Sequence, residues 1–137
     1  MDRHSFRLRS SHRFQVTYPV IFAGAPFVGE GTVCSFSRAG CSIRCHRSVL
    51  AGSFLQLGVL LPDLEPALLF ELGRVRWVNE HSFGVEFIRL PRFARQPLDQ
   101  AAWERLAALL ERRSQRRQTP APEYRLVSER LSVPRQN

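Results

Sequence analysis

Residues 68–87, LLFELGRVRWVNEHSFGVEF, decide the fold class of this chain. In the first half of this stretch, Val75 and Trp77 alternate with arginines, which predicts a strand with one apolar and one polar face. Residues 79–82 are turn formers, and residues 83–88 alternate again between large apolar and smaller or polar side chains. Two alternating segments joined by a short turn are typical of an antiparallel pair of strands.

Four further segments have the same β-prone character and are separated by turn signals at regular spacing. They are residues 14–22 (FQVTYPVIF), 28–36, 41–45 and 54–61. With the two strands above, the sequence predicts six short strands. So many short apolar strands favour a closed antiparallel barrel, because closure removes the exposed edges that they would otherwise present.

A helix is predicted after the last strand. Asp99 is a suitable N-cap, and residues 100–113 place Trp103, Leu106 and Leu110 on one apolar stripe. We expect this stripe to cover the barrel, with Trp103 in the core. The predicted fold is therefore mainly β, a six-stranded antiparallel barrel with a C-terminal α-helix packed on it.

The segments before the first strand and after the predicted helix are polar. A length of 137 residues suits one domain with a real core. We expect residues 1–13 to be a flexible basic lead-in, 14–113 the barrel and helix, and 114–137 a disordered tail rich in arginine and proline. No apolar run is long enough for a bilayer and no secretory signal is recognisable, so we expect a cytoplasmic protein without membrane insertion.

The net charge is +8, and all 20 basic residues are arginine. Arginine matches phosphate and the guanine O6/N7 edge with a planar fork of donors. A genomic codon bias would give the same excess, so the placement of particular arginines is more informative than their number. Cys34, Cys41 and Cys45 form no CxxC pair, and the four histidines are scattered. We therefore expect no metal site, no cofactor and no enzyme chemistry.

Two short motifs are candidates for ligand binding. Arg9 and Arg13 form an RxxxR pattern directly before the first strand, and could converge on one phosphate or guanine. Between the second and third strands, Ser35 and Ser37 have the spacing that places two hydroxyls on one side of an extended backbone. Gly40 then permits either a positive φ or a close backbone approach.

Together these motifs resemble the PilZ family, whose members bind the bacterial messenger cyclic di-GMP through RxxxR and a following [D/N]xSxxG. The resemblance covers about residues 7–113. It implies that Arg9 and Arg13 grip guanine and phosphate, and that Ser37 and Gly40 belong to the second motif. Trp77 lies where some members have an aromatic residue near the purine, with a place in the barrel wall as the alternative.

Ser35 departs from the family pattern, which has Asp or Asn at this position. Serine keeps a hydrogen-bond acceptor but shortens its reach by one carbon. Arg7 is a further candidate for a phosphate contact, with a solvated side chain as the alternative.

The resemblance implies a receptor that changes conformation with cyclic di-GMP and regulates a protein partner in trans, in motility, pilus or exopolysaccharide and biofilm control. The alternative is a PilZ-like interaction domain that has lost the ligand. A third hypothesis, non-specific nucleic-acid binding, is disfavoured because the arginines cluster at the termini and the strands lack an aromatic stacking stripe.

Overall fold

The computed structural model describes residues 12–24, 27–62 and 67–118. All six predicted strands are present, with ends shifted by at most two residues. They are β1 (Phe14–Ala23), β2 (Val28–Phe36), β3 (Gly40–Arg44), β4 (Phe54–Val59), β5 (Leu68–Val78) and β6 (Ser82–Phe87). Two strands of two residues each, β7 (Arg92–Phe93) and β8 (Gln96–Pro97), precede the helix α1 (Gln100–Gln118).

The six main strands close into a barrel. Their order is β4-β1-β2-β3-β6-β5, and β5 pairs back with β4, so that each main strand has a neighbour on both sides. Every pairing is antiparallel. The predicted mainly β fold, a six-stranded antiparallel barrel with a C-terminal helix, is therefore confirmed.

Aromatic rings fill the barrel and one of its mouths. Phe22, Phe36, Phe70 and Phe83 are fully buried. The indole of Trp103 packs edge-on against Phe36 and Phe70, with ring centroids 6.1 and 5.8 Å apart. Trp103 is thus a core residue, as predicted, and α1 closes the barrel at this end.

The helix begins as predicted but continues further. The carboxylate of Asp99 accepts a hydrogen bond of 2.8 Å from the backbone N–H of Ala102, which is the geometry of an N-cap. The predicted end at Arg113 is wrong, because α1 runs on to Gln118. The reason lies in Ser114, which is buried against β1 and donates a 2.6 Å hydrogen bond to the Gln15 carbonyl.

No helix among the described residues is long and apolar enough to cross a bilayer. In the same ranges, no three His, Cys, Asp or Glu side chains lie together as metal ligands would. Burial raises the pKa of the Cys41 thiol to about 12, so this cysteine stays protonated and inert.

Candidate functional site

One row of residues crosses the outer face of five strands. Gln15 pairs with Ser35, Ser35 with Ser42, Ser42 with Gly84, and Gly84 with Trp77. Neighbouring strands lie about 4.8 Å apart, so this outer row extends over roughly 19 Å. Its length and its polar centre make it the candidate ligand site.

Two serines and an arginine form the centre of the outer row. The Oγ atoms of Ser35 and Ser42 lie 2.8 Å apart and share a hydrogen bond. The guanidinium of Arg13 donates from Nη1 to Ser35 Oγ over 2.9 Å. The two sequence motifs are 22 residues apart in the chain, and this hydrogen bond joins them in space.

A β-bulge at Cys34 turns Ser35 outward. The pairing of β2 with β3 shifts between Val33 and Ser35, which leaves Cys34 without a partner of its own. A bulge interrupts the alternation of side chains. Val33 and Phe36 are therefore both buried, while Ser35 between them lies on the outer face.

Trp77 lies on the outer face, contrary to the alternation that groups it with Val75. The pairing of β5 with β6 shifts between Val75 and Trp77, so that Val75 points into the core and Trp77 points out. The Trp77 side chain is 41% exposed. A Cβ atom on Gly84 would overlap the indole nitrogen, which means that the ring lies directly over bare backbone at Gly84. A flat, accessible aromatic surface is thus presented at one end of the outer row.

Ser37 has a different place from the one its spacing predicted. It follows the last residue of β2, and only 2% of it is exposed. Its Oγ accepts hydrogen bonds from the backbone N–H groups of Ala39, at 3.1 Å, and Gly40, at 3.2 Å. The hydroxyl is therefore turned into the tight turn at residues 37–40 and does not stand beside that of Ser35.

Gly40 is needed for a close approach of two backbones. Its φ is not positive, since Gly52 alone has a positive φ among the glycines of the described ranges. A Cβ at Gly40 would overlap the carbonyl oxygen of Val85 on β6. Of the two reasons that the sequence left open for this glycine, the close approach applies.

The helix holds the same turn from the other side. The indole N–H of Trp103 donates to the carbonyl of Arg38 over 3.2 Å. Arg38 also forms an ion pair of 3.4 Å with Glu104. Ser37, Gly40 and α1 together fix the turn that ends β2 next to Ser35.

Comparison with known families assigns the domain. The profile of the PilZ domain matches residues 7–102, well over half of the chain. The chain belongs to the PilZ domain family. PilZ domains generally bind cyclic di-GMP and are typically non-enzymatic receptor or adaptor domains.

Two solved structures illustrate the PilZ fold of this chain. The crystal structure of the PilZ domain of CeSA from a cellulose synthesizing bacterium has a TM-score of 0.51 at 18% identity, over 74% of this chain and 99% of that one. The structure of the Bacillus subtilis inhibitor of motility, MotI/DgrA, has a TM-score of 0.59 at 18% identity, over 77% of this chain and half of that one. At this identity the likeness concerns the fold alone. No curated protein matches the chain in sequence.

Within this PilZ domain, the structure adds two residues that the sequence motifs did not include. Ser42 shares a hydrogen bond with Ser35, and Arg44 lies on the same face of β3. The alternation of residues 41–45 already placed both on the polar face of that strand. This pattern was the feature of the sequence from which their place in the site could have been predicted. Arg7 and Arg9 lie outside the described residues, so their roles stay predictions.

Proposed function

We propose that this PilZ domain is a receptor for cyclic di-GMP, not an enzyme, and that the ligand binds along the outer row. The observation that carries the proposal is the hydrogen bond from Arg13 to Ser35, which joins the two motifs on one surface. The exposed indole of Trp77 supports it, because a purine needs a flat surface on which to stack.

Each residue of the site has a proposed role. Arg13, joined by Arg9 from the N-terminal segment, binds phosphate and the guanine edge with charge-assisted donors. Ser35 accepts from the guanine N–H groups, Ser42 orients the Ser35 hydroxyl, and Trp77 stacks on a base. Ser37, Gly40 and Arg7 complete the proposed set, the first two by holding the turn and the last by a phosphate contact.

Contacts next to Arg13 offer a route from ligand to output. His12 lies 3.7 Å from Glu111 on α1, and Ser114 on the same helix is bonded to the Gln15 carbonyl. We propose that binding of the ligand at Arg13 changes these contacts and hence the surface of α1. A partner protein in the cytoplasm would then be regulated in trans through a population shift. Of the two similar structures, one is an inhibitor of motility and the other is a domain of CeSA from a cellulose synthesizing bacterium, which favours motility or exopolysaccharide synthesis as the regulated process.

The test is calorimetric titration of the full chain with cyclic di-GMP, with GMP as the control ligand. We expect saturable heat with cyclic di-GMP at physiological salt and much weaker binding of GMP, which offers half of the contacts. Absence of heat from the parent chain with cyclic di-GMP contradicts the proposal.

Replacing Ser35 by aspartate should raise the affinity for cyclic di-GMP at least tenfold. A carboxylate reaches one carbon further than a hydroxyl and accepts charge-assisted hydrogen bonds, each worth about 1.5–3 kcal/mol. Ser48→Asp is the matched control, since it adds the same charge at an exposed position outside the outer row. Equal or weaker binding by Ser35→Asp in the same titration would count against direct contact of position 35 with guanine.

The second candidate function is a PilZ interaction domain without a ligand. Ser35 in place of Asp or Asn favours it, as does the hydrogen bond that the Ser35 hydroxyl already shares with Ser42. The same titrations separate the two functions. If the parent chain binds nothing and Ser35→Asp does bind, the site has decayed at this position and the second function stands.

Replacing Trp77 by alanine should weaken cyclic di-GMP binding about tenfold. Stacking of a base on an aromatic ring is worth roughly 1–3 kcal/mol, and about 1.4 kcal/mol corresponds to a factor of ten. Phe54→Ala is the matched control, because Phe54 is also an exposed aromatic residue but lies on β4. The dissociation constants of both variants are measured by calorimetry, and equal losses in the two would rule out a specific role for Trp77.

A further inference from the structure

A cleft lies between the outer face of β1 and the last turns of α1. Its volume is about 420 Å³, within the range of roughly 300–1,000 Å³ that is typical of small-molecule sites. Polar side chains from both elements, and from β2 and β3, line it. Among them are Gln15, Thr17, Cys34, Arg44, Arg113 and Ser114.

The cleft is cationic. Arg44 and Arg113 line it, and no carboxylate does so among the described residues. Arg44 donates from Nη2 to the Cys34 sulfur at 3.2 Å, and a neutral thiol is a weak acceptor. The Nη1 atom of Arg113 is buried and has no hydrogen-bond acceptor in the described parts of the chain. Two guanidinium groups with spare donors are suited to an oxyanion.

The cleft adjoins the outer row. The guanidinium of Arg44 donates to the Cys34 sulfur, and the guanidinium of Arg13 donates to the hydroxyl of Ser35, the next residue of β2. Consecutive Cα atoms are about 3.8 Å apart, so the two guanidinium groups are anchored side by side. Gln15 belongs to both places, since it pairs with Ser35 and lines the cleft. The cleft and the Arg13–Ser35 contact are therefore neighbours that share Gln15.

We propose that the cleft binds a phosphodiester of the cyclic dinucleotide, with Arg44 and Arg113 as the donors. This inference rests on the proposed function, and it adds a second anchoring point beside the Arg13–Ser35 contact. A cyclic dinucleotide carries two phosphodiesters, so that one can meet Arg13 while the other meets Arg44 and Arg113. The fork of each guanidinium matches two phosphate oxygens.

Cys34 provides a reporter of occupancy. The full chain is titrated with cyclic di-GMP by calorimetry and is then alkylated with iodoacetamide, with and without saturating ligand, with mass spectrometry as the readout. We expect the ligand to slow alkylation of Cys34 at least tenfold. Cys41 and Cys45 are buried and serve as internal controls, because their alkylation reports unfolding of the barrel.

Arg44→Gln is the decisive variant, and Arg74→Gln is its matched control. Arg74 is also exposed, but it lies on β5, on the far side of the barrel from β2, over the Phe54 ring. We expect Arg44→Gln to lose about tenfold in affinity and to lose the ligand's protection of Cys34. Arg74→Gln should retain both properties.

The outcomes separate this inference from the proposed function. Two results would overturn the phosphodiester site while leaving the proposed receptor function intact. One is heat of binding without protection of Cys34, and the other is an affinity of Arg44→Gln equal to that of Arg74→Gln. No heat from the parent chain overturns the receptor and this site with it. Protection of Cys34 together with a selective loss in Arg44→Gln supports both.

Discussion

Arg13→Ala should weaken cyclic di-GMP binding about 100-fold. The side chain donates charge-assisted hydrogen bonds, each worth about 1.5–3 kcal/mol, and a bidentate contact to guanine or phosphate makes two of them. A loss of about 3 kcal/mol corresponds to two factors of ten in the dissociation constant. Folding should be unaffected, because the Arg13 side chain is exposed and its hydrogen bond to Ser35 is at the surface.

Calorimetry of Arg13→Ala beside Arg74→Ala checks this expectation. Both variants lose one positive charge, but only Arg13 touches the outer row. Equal weakening in the two would mean that net charge and not a specific contact drives binding. In that case the affinity of the parent chain should also fall steeply as salt is raised.

Gly40→Ala should lower the free energy of unfolding by about 3 kcal/mol. The added methyl group would overlap the Val85 carbonyl oxygen, which is backbone and is held in the ladder between β3 and β6. Overpacking of this kind typically costs about 1–3 kcal/mol, and the upper end applies because no side chain can move aside. The melting temperature should fall by on the order of 10 °C.

Gly58→Ala provides the control for the loss of a strand glycine. A Cβ at Gly58 would lie 3.6 Å from a Leu69 methyl group, which is ordinary van der Waals contact. We expect its effect on stability to stay within about 1 kcal/mol in thermal or urea unfolding. If both variants unfold alike, the close approach at Gly40 is not what this position requires.

The strands could be predicted from the sequence because each is long enough to show alternation or a dense apolar run. β7 and β8 could not, since two residues carry no period. The extension of α1 past Arg113 was also out of reach. Residues 114–118, SQRRQ, contain no apolar signal, and the buried hydrogen bond of Ser114 depends on the position of β1.

The site was predicted in its parts but not in its geometry. The spacing of the motifs pointed to Arg13 and Ser35, and their hydrogen bond is consistent with that pairing. The faces of Ser35 and Trp77 depend on the bulges at Cys34 and before Trp77. A bulge reverses the alternation from which faces are read, and neither segment contains a residue type that demands one.

The turn at residues 37–40 has a consequence for surveys that score genomes by motif. Ser37 and Gly40 satisfy and shape the backbone whether or not a nucleotide is present, so a PilZ domain that binds no nucleotide would need both in order to fold. Arg13 and Ser35 lie on the outer face and are not needed in this way for folding of the barrel. A match to the serine and glycine of the motif therefore identifies the barrel fold. The arginines and the residue at position 35 are what distinguish PilZ domains that bind cyclic di-GMP from those that do not.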